Sequence, residues 1–153
     1  MIGISGVPGT GKTALCKMLK GRGYGCVNLA EIGLSLGCIS GEEADIDCLR
    51  DRMAPSQYRI IEGHYAHLMN CSHVIILERS TEDLRKVYES RGYNLEKAED
   101  NIEAQDSGTI YSESLDILPS TRIFTIRNNG GMDQLLRDVT KIIDNLNPSQ
   151  FKP

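Results

Sequence analysis

Residues 6–13 have the types and spacing of a phosphate-binding loop. They read Gly-Val-Pro-Gly-Thr-Gly-Lys-Thr and directly follow the first apolar run of the chain, residues 1–4. Gly6, Gly9 and Gly11 lack a Cβ, so the backbone can adopt left-handed angles that turn successive N–H groups onto phosphate oxygens. The loop therefore predicts that the chain binds a nucleoside triphosphate.

Three further groups are expected to act on the same phosphates. The helix that begins at Lys12 adds its unpaired first-turn N–H groups and the positive end of its dipole. The Lys12 ammonium reaches the β- and γ-oxygens, and the Thr13 hydroxyl is one ligand of a Mg²⁺ that otherwise keeps waters and phosphate oxygens. The predicted cofactor is thus Mg²⁺ with ATP. The alternative is a chance match in an ordinary glycine turn, on the order of one in a hundred for a chain of this length.

Composition limits the class of protein. The chain has 153 residues, which fits one domain, and its 17 basic and 21 acidic residues give a net charge of −4. That balance argues against a general polyanion-binding surface, so direct nucleic-acid binding is not expected. No signal peptide and no apolar run of about 20 residues is visible, so a soluble cytoplasmic protein without a membrane partner is expected.

The five cysteines form no C-x-x-C pair. An odd number without metal-ligand spacing predicts reduced thiols and no zinc cluster. Cys16 and Cys26 are expected to pack as small apolar residues.

The elements that must position the phosphate loop follow from short apolar runs that alternate with helical stretches. This pattern predicts an α/β fold of the P-loop NTPase type, in which helices cover both faces of a five-stranded parallel sheet. Strands are expected at residues 2–5, 25–29, 59–62, 73–77 and 122–126, and helices at residues 12–20, 66–69, 81–90 and 132–146. Right-handed crossovers gather the loops after the strands at one edge, so the site is expected there.

Two stretches lie outside this alternation. Residues 30–55 contain glycines and an acidic cluster of Glu42, Glu43, Asp45 and Asp47, and residues 91–103 are polar. Polar insertions at the phosphate-binding edge are typical of lids and second-substrate clamps, because phosphoryl transfer requires the exclusion of water. Solvated helices without a catalytic role are the alternative.

Several motifs together resemble one known family. The phosphate loop, Ile-Ile-Glu-Gly-His at residues 60–64, Arg-Gly-Tyr-Asn at 91–94 and Asp-Asn-Ile at 100–102 are similar to the adenylate kinase isoenzyme 6 family, a P-loop group known in archaea and eukaryotes. The similarity extends from Met1 to about Leu146. Many families share the phosphate loop, whereas the pairing of Arg-Gly-Tyr-Asn with Asp-Asn-Ile is far more specific.

The resemblance implies a nucleoside monophosphate kinase fold over residues 1–153, with a monophosphate-binding insertion at about 28–51 and a lid at about 90–100. It implies transfer of the ATP γ-phosphate to AMP or another nucleoside monophosphate, with accompanying ATP hydrolysis. The alternative is an ATP-switched assembly factor for the small ribosomal subunit that acts through a ribosomal-protein partner. The residues implied to line the triphosphate are Gly9, Thr10, Gly11, Lys12, Thr13 and Ala14, with Arg91 as the lid arginine.

Three side chains are further candidates for catalysis. Arg91 can make paired hydrogen bonds to phosphate oxygens, or it is a surface cation at a helix C-terminus. Glu62 ends a strand where P-loop proteins place the acid that orients Mg²⁺ through water; direct metal ligation and substrate orientation stay open. His64 can donate to phosphate or position a water, or it is structural, as His67 and His73 are expected to be.

An acceptor monophosphate needs cations of its own. The candidates are Arg50 and Arg52, on a short helix expected before Pro55, and Arg85 on the helix that leads to the lid. The family commonly carries an arginine four residues before Arg-Gly-Tyr, where this chain has Val87, so the identity of the clamp stays open. The loop at residues 127–131 could contact adenine through backbone groups.

Overall fold

The computed structural model describes residues 1–146, in which seven strands and seven α-helices form. The strands are β1 (Ile2–Ser5), β2 (Cys26–Asn28), β3 (Ile39–Ser40), β4 (Glu43–Ala44), β5 (Ile60–Glu62), β6 (His73–Glu78) and β7 (Ile123–Arg127). The helices are α1 (Lys12–Gly21), α2 (Leu29–Leu36), α3 (Ile46–Arg52), α4 (Thr81–Ser90), α5 (Leu95–Asp106), α6 (Thr109–Leu115) and α7 (Met132–Leu146). Short 3₁₀ turns lie at Pro55–Gln57, Ala66–Leu68 and Ser120–Arg122.

Five strands form a parallel sheet in the order β2-β5-β1-β6-β7. Each of the five coincides with a predicted apolar run, so the predicted sheet is confirmed. Ile4 pairs with Glu62 on one side and with Ile75 on the other, which places the ends of β1, β5 and β6 at one edge. The phosphate loop follows β1 at that edge.

Alternation along β1 shows why helices cover both faces. Ile2 and Ile4 are fully buried in the core that includes the apolar faces of α1 and α7. Gly3 points to the opposite face, where a Cβ would meet the Ala66 carbonyl oxygen and the Cys71 sulfur, both at 2.9 Å. The second core, formed mainly with α2 to α6, lies on that side. The result is a three-layer α/β/α architecture.

The polar stretch at residues 30–55 folds into two helices around a small hairpin. Asn28 caps α2 by accepting from the Glu31 N–H, and Gly37 ends this helix with a φ of 72°. The antiparallel pair β3–β4 follows, and Asp45 then caps α3 by accepting from the Cys48 N–H. The other polar stretch is mostly α5, which Asn94 caps. Both stretches are therefore mostly helical.

The expectation of reduced thiols is wrong for four of the five cysteines. Disulfides join Cys16 to Cys26 and Cys38 to Cys48, and Cys71 is free and buried. The reason is tertiary: α1 packs beside β2, and α3 packs back on α2, which brings each pair of Cα atoms to 5.6 Å. Cys16 and Cys26 are buried as expected, but they are bonded to each other. Burial raises the pKa of Cys71 to about 12.

Among residues 1–146, no helix combines the length and the apolar character needed to cross a bilayer.

Candidate active site

A cavity of about 420 Å³ opens at the edge of the sheet where the phosphate loop lies. This volume is in the range of small-molecule sites. Four parts of the chain line it: the phosphate loop with the start of α1, the α2–α3 region, the loop after β5, and Arg91. The lining residues are Pro8, Gly9, Gly11–Ala14, Asn28–Ala30, Ile39, Gly41, Glu42, Ala44, Leu49, Glu62–Tyr65 and Arg91.

Two glycines of the phosphate loop are required by conformation and by space. Gly9 has a φ of 88° and Gly11 a φ of 104°, values that other residues rarely adopt. A Cβ on Gly9 would lie 3.1 Å from Val87 Cγ1, and one on Gly11 would lie 3.0 Å from Asn128 Nδ2. The motif glycines thus serve the close packing of the loop as well as its backbone angles.

Side chains from elsewhere in the fold hold the outer carbonyls of the loop. The Tyr88 hydroxyl, on α4, donates to the Pro8 carbonyl at 2.5 Å, and Arg79 Nη1, just after β6, donates to the Gly9 carbonyl at 3.1 Å. In a trans peptide the carbonyl and the next N–H point in opposite directions. These bonds therefore turn the Gly9 N–H away from Tyr88 and the Thr10 N–H away from Arg79.

Asn128 completes this set after β7. Its Nδ2 donates to the Thr10 carbonyl at 3.1 Å, which orients the Gly11 N–H in the same way. The Thr10 hydroxyl is fully buried and donates to the Val7 carbonyl at 3.0 Å. We call Arg79, Tyr88 and Asn128 the carbonyl clamps. The sequence did not indicate Arg79 or Tyr88, because they lie in separate segments and belong to no motif. Asn128 lies in the loop at residues 127–131 that was expected to contact adenine, but it holds the Thr10 carbonyl instead.

Lys12 is 8% exposed, and its ammonium donates to the Gly6 carbonyl at 2.7 Å and the Val7 carbonyl at 3.0 Å. Burial lowers the pKa of Lys12 to about 8; the nearby Arg91 adds to the decrease and the Glu62 carboxylate opposes it. A phosphate in the cavity would supply the negative charge that this buried cation lacks.

Glu62 is 1% exposed at the end of β5. Its Oε1 accepts from Asn28 Nδ2 at 2.5 Å and from the Thr13 hydroxyl at 3.4 Å. Asn28 and Glu62 are paired at the ends of the neighbouring strands β2 and β5. In the sequence, each is a polar residue at the end of an apolar run, and this pattern was the indication of their contact. A hydroxyl and a carboxylate beside the phosphate loop are hard oxygen donors, so the residues fit Mg²⁺.

His64 lies on the loop after β5 and lines the cavity. Its ring stacks on Tyr65 with centroids 5.0 Å apart. Burial, reinforced by the Lys12 charge, lowers the pKa of His64 to about 4, so the ring is neutral at pH 7. Arg91 is the C-terminal cap of α4 and also lines the cavity. Its position therefore fits both a cation at a helix C-terminus and a phosphate-binding arginine.

Three predicted acceptor arginines are not brought to the cavity. Arg50 Nε donates to the Leu68 carbonyl at 2.7 Å, and Arg52 Nη1 donates to the Leu36 carbonyl near the end of α2. Arg85 pairs with Glu99 at 3.2 Å between α4 and α5. Within residues 1–146, Arg91 is the arginine that lines the cavity. The side chain of Thr10 is likewise turned into the core.

Residues 2–108 match the profile of a family described as "AAA domain". The chain belongs to this family. Relatives of known sequence include archaeal proteins named "Putative adenylate kinase". The one from Thermoplasma acidophilum is 47% identical over 96% of this chain and 99% of its own length. Those from Thermoplasma volcanium and Methanothermobacter thermautotrophicus are 42% and 32% identical, over 92% and 100% of this chain and 92% and 93% of theirs.

Solved structures of P-loop kinases share the fold of this family member. Shikimate kinase from Bacteroides thetaiotaomicron superposes with a TM-score of 0.59 over 94% of this chain and 97% of its own, at 12% identity. A gluconokinase from Sinorhizobium meliloti superposes with a TM-score of 0.54 over 95% and 94% of the two chains, also at 12% identity. The predicted nucleoside monophosphate kinase type of α/β fold is therefore confirmed.

Proposed function

We propose that this protein is an adenylate kinase of the isoenzyme 6 type, which transfers the γ-phosphate of ATP to AMP and hydrolyses ATP more slowly. The observation that carries the proposal is the shared cavity: Lys12, Thr13, Glu62 and Arg91 surround the same space that opens onto the α2–α3 region. The relatives named "Putative adenylate kinase", which the chain covers over 99% and 92% of their length, support it.

On the donor side, the loop N–H groups and the positive end of α1 bind the phosphates of ATP, and Lys12 neutralises the β/γ oxygens. Arg91 meets the charge that develops on the transferred group. Thr13 and Glu62 would hold Mg²⁺, Glu62 through water, and bound Mg²⁺ supplies charge neutralisation of the phosphates. Because Glu62 is fixed by Asn28, its position is set before the nucleotide arrives.

On the acceptor side, the α2–α3 region offers apolar walls from Leu29, Ile39 and Leu49, with the Glu42 carboxylate at the rim. Apolar walls suit a nucleobase, and a carboxylate accepts a hydrogen bond from the exocyclic amine of adenine. The acceptor phosphate is then bound between Arg91 and Lys12, since Arg50, Arg52 and Arg85 bond elsewhere. AMP is the acceptor that these features favour.

A coupled assay of ADP formation tests the proposal. ATP plus AMP should give ADP well above the rate with ATP alone, and equal rates would reject acceptor phosphorylation. Lys12→Met should abolish both rates, whereas Lys17→Met, an exposed lysine on the same helix, should leave them unchanged. If Lys12→Met keeps the activity of the wild type, the phosphate loop is not the site.

A second function is favoured by the acidic cluster of Glu42, Glu43, Asp45 and Asp47. All four residues are exposed, and Glu42 also lines the cavity. Such a surface suits a basic protein segment, and a nucleotide in the adjacent cavity can bias its docking. An ATP-switched assembly factor for the small ribosomal subunit predicts capture of a basic ribosomal protein that changes with ATP. Absence of capture in both nucleotide states would reject it.

A further inference from the structure

A buried hydrogen-bonded chain connects the phosphate loop to the surface of α6. Ser5 is fully buried immediately before Gly6, and its Oγ lies 2.8 Å from His67 Nδ1. His67 is 2% exposed, and its Nε2 lies 3.2 Å from Glu113 Oε1. The Glu113 side chain is 44% exposed. A carboxylate in contact with solvent is thus linked through two buried groups to the start of the phosphate loop.

The Ser5 hydroxyl has a second potential partner. Its Oγ also lies 3.1 Å from the His64 carbonyl oxygen, on the loop that lines the cavity. A hydroxyl has one hydrogen to donate, so Ser5 can donate either to the His64 carbonyl or to His67 Nδ1. If it donates to His64, then Nδ1 must carry a hydrogen and donate to Ser5.

The charge on Glu113 decides between these two arrangements. Burial lowers the pKa of His67, although the hydrogen bond with Glu113 and the charge of Glu113 oppose this, so the ring is neutral at pH 7.5. A carboxylate accepts only, so the single ring hydrogen belongs on Nε2, and Nδ1 accepts from Ser5. The His64 carbonyl then lacks the Ser5 hydrogen.

We propose that Ser5, His67 and Glu113 are positioning residues for phosphoryl transfer, and that the tautomer of His67, set by Glu113, decides whether Ser5 anchors the loop that carries His64. In the native protein Glu113 holds the hydrogen on Nε2 and the His64 loop is not anchored by Ser5. Loss of the carboxylate moves the hydrogen to Nδ1, and the hydroxyl then fixes the His64 carbonyl beside Gly6. The kinetic part rests on the proposed function.

The variant Glu113→Gln separates this role from simple packing. Its amide can donate to Nε2, which favours the Nδ1–H tautomer at nearly unchanged volume. A bond from Ser5 to the His64 carbonyl restrains the loop that carries His64 at the cavity wall. We therefore expect kcat to fall at least threefold while KM for ATP stays within twofold. Asp116→Asn removes a charge from the same end of α6 and should change neither value.

Two measurements test the proposal. Nitrogen NMR of ¹⁵N-histidine-labelled protein at pH 7.5 should show His67 as the Nε2–H tautomer in the wild type and a shift toward Nδ1–H in Glu113→Gln. A double-mutant cycle in kcat should show that Glu113→Gln has no further effect once Ser5→Ala has removed the hydroxyl.

Each outcome bears on the proposal. An Nδ1–H or doubly protonated His67 in the wild type overturns it without any variant. Additive kcat effects, or a loss of stability with unchanged kcat, assign the chain of bonds to packing alone. If AMP is not phosphorylated, the cycle is run on ATP hydrolysis; coupling there retains the positioning role while the adenylate kinase proposal fails.

Discussion

At the scale of single residues, the site depends on charges that are buried before a ligand arrives. Lys12 is the clearest case, because its pKa of about 8 lies more than two units below the ordinary value of 10.5. The Glu62 carboxylate partly offsets the effect of burial on the pKa of Lys12. The bonds to the Gly6 and Val7 carbonyls keep the ammonium beside the loop. The free protein therefore holds a cation that loses its proton in mildly alkaline solution.

The affinity for Mg-ATP should consequently depend on pH above 8. Below the pKa of Lys12 the cation is already present; above it, binding must take up a proton, so affinity falls by up to tenfold per pH unit. Calorimetric titration at pH 7.5, 8.5 and 9.5, in buffers of different ionisation enthalpy, measures both the affinity and the proton uptake. Lys12→Arg keeps its charge throughout and should bind with weaker but pH-independent affinity. A wild-type affinity that is constant to pH 9.5 contradicts the lowered pKa.

Asn28 allows the two functions of one side chain to be separated. Its Oδ1 caps α2, and its Nδ2 donates to Glu62. Asn28→Asp keeps the capping oxygen but places a second carboxylate against Glu62, so kcat should fall roughly tenfold or more, about 1.4 kcal/mol. The control is Asn94→Asp, because Asn94 caps α5 by the same contact and does not line the cavity. Equal activity of the two variants would mean that the Asn28–Glu62 bond has no part in the reaction.

At the scale of elements, the carbonyl clamps show how separate segments preorganise one loop. Arg79 follows β6, Tyr88 lies on α4 and Asn128 follows β7. The peptide backbone of Arg79 is itself held by Gln105 of α5, in bonds of 3.0 and 2.7 Å. The strands and helices around the sheet therefore fix the orientation of the phosphate-binding N–H groups.

Removing one clamp should weaken phosphate binding in a measurable way. Tyr88→Phe deletes the hydroxyl that holds the Pro8 carbonyl and leaves the buried ring, which stacks on Tyr93, in place. The Kd for Mg-ATP should rise about fivefold, which corresponds to roughly 1 kcal/mol for one hydrogen bond. Tyr111→Phe, at an exposed position, is the matched control. An unchanged Kd in Tyr88→Phe would show that the loop keeps its orientation without this bond.

The elements also show what the sequence could predict. The buried strands were recognisable because a parallel strand covered on both faces is a continuous apolar run, as in β1 and β6. The amphipathic stripe of α7 was equally clear. A short helix carrying Arg50 and Arg52 before Pro55 was predicted, and α3 (Ile46–Arg52) confirms it. In contrast, α2, α5 and α6 are short or polar and received no bounds from the sequence, because the stability of such helices depends more on tertiary packing than on periodicity.

The residues of the candidate site also fall into those that the sequence reveals and those that only the folded structure reveals. Gly9, Gly11, Lys12, Thr13, Glu62, His64 and Arg91 were found because a local motif carries each of them, and all of them line the cavity. Arg79, Tyr88 and Asn128 reach the phosphate loop only through long-range packing, which a single sequence does not reveal. The acceptor arginines were placed by charge alone, and each bonds outside the cavity.

At the scale of the whole molecule, the two disulfides tie the sheet and the α2–α3 region to their neighbours. Cys16–Cys26 links α1 to β2, and Cys38–Cys48 spans the hairpin between α2 and α3. Each closes a loop with a sequence separation of 10. In the chain-entropy account, closing a loop of this length stabilises the fold by roughly 3 kcal/mol. Reduction should therefore destabilise the protein substantially.

Thermal unfolding with and without a reductant tests this expectation. For a domain of this size, loss of both bonds should lower Tm by on the order of 10 °C or more. The paired change Cys38→Ala with Cys48→Ala should remove part of that difference, whereas Cys71→Ala should remove none, because Cys71 is the free cysteine. Thiol titration of the denatured protein should find one reactive group before reduction and five after it. Five thiols before reduction, together with a Tm that does not respond to reductant, would mean that the protein carries neither bond and that its cysteines pack as separate apolar side chains.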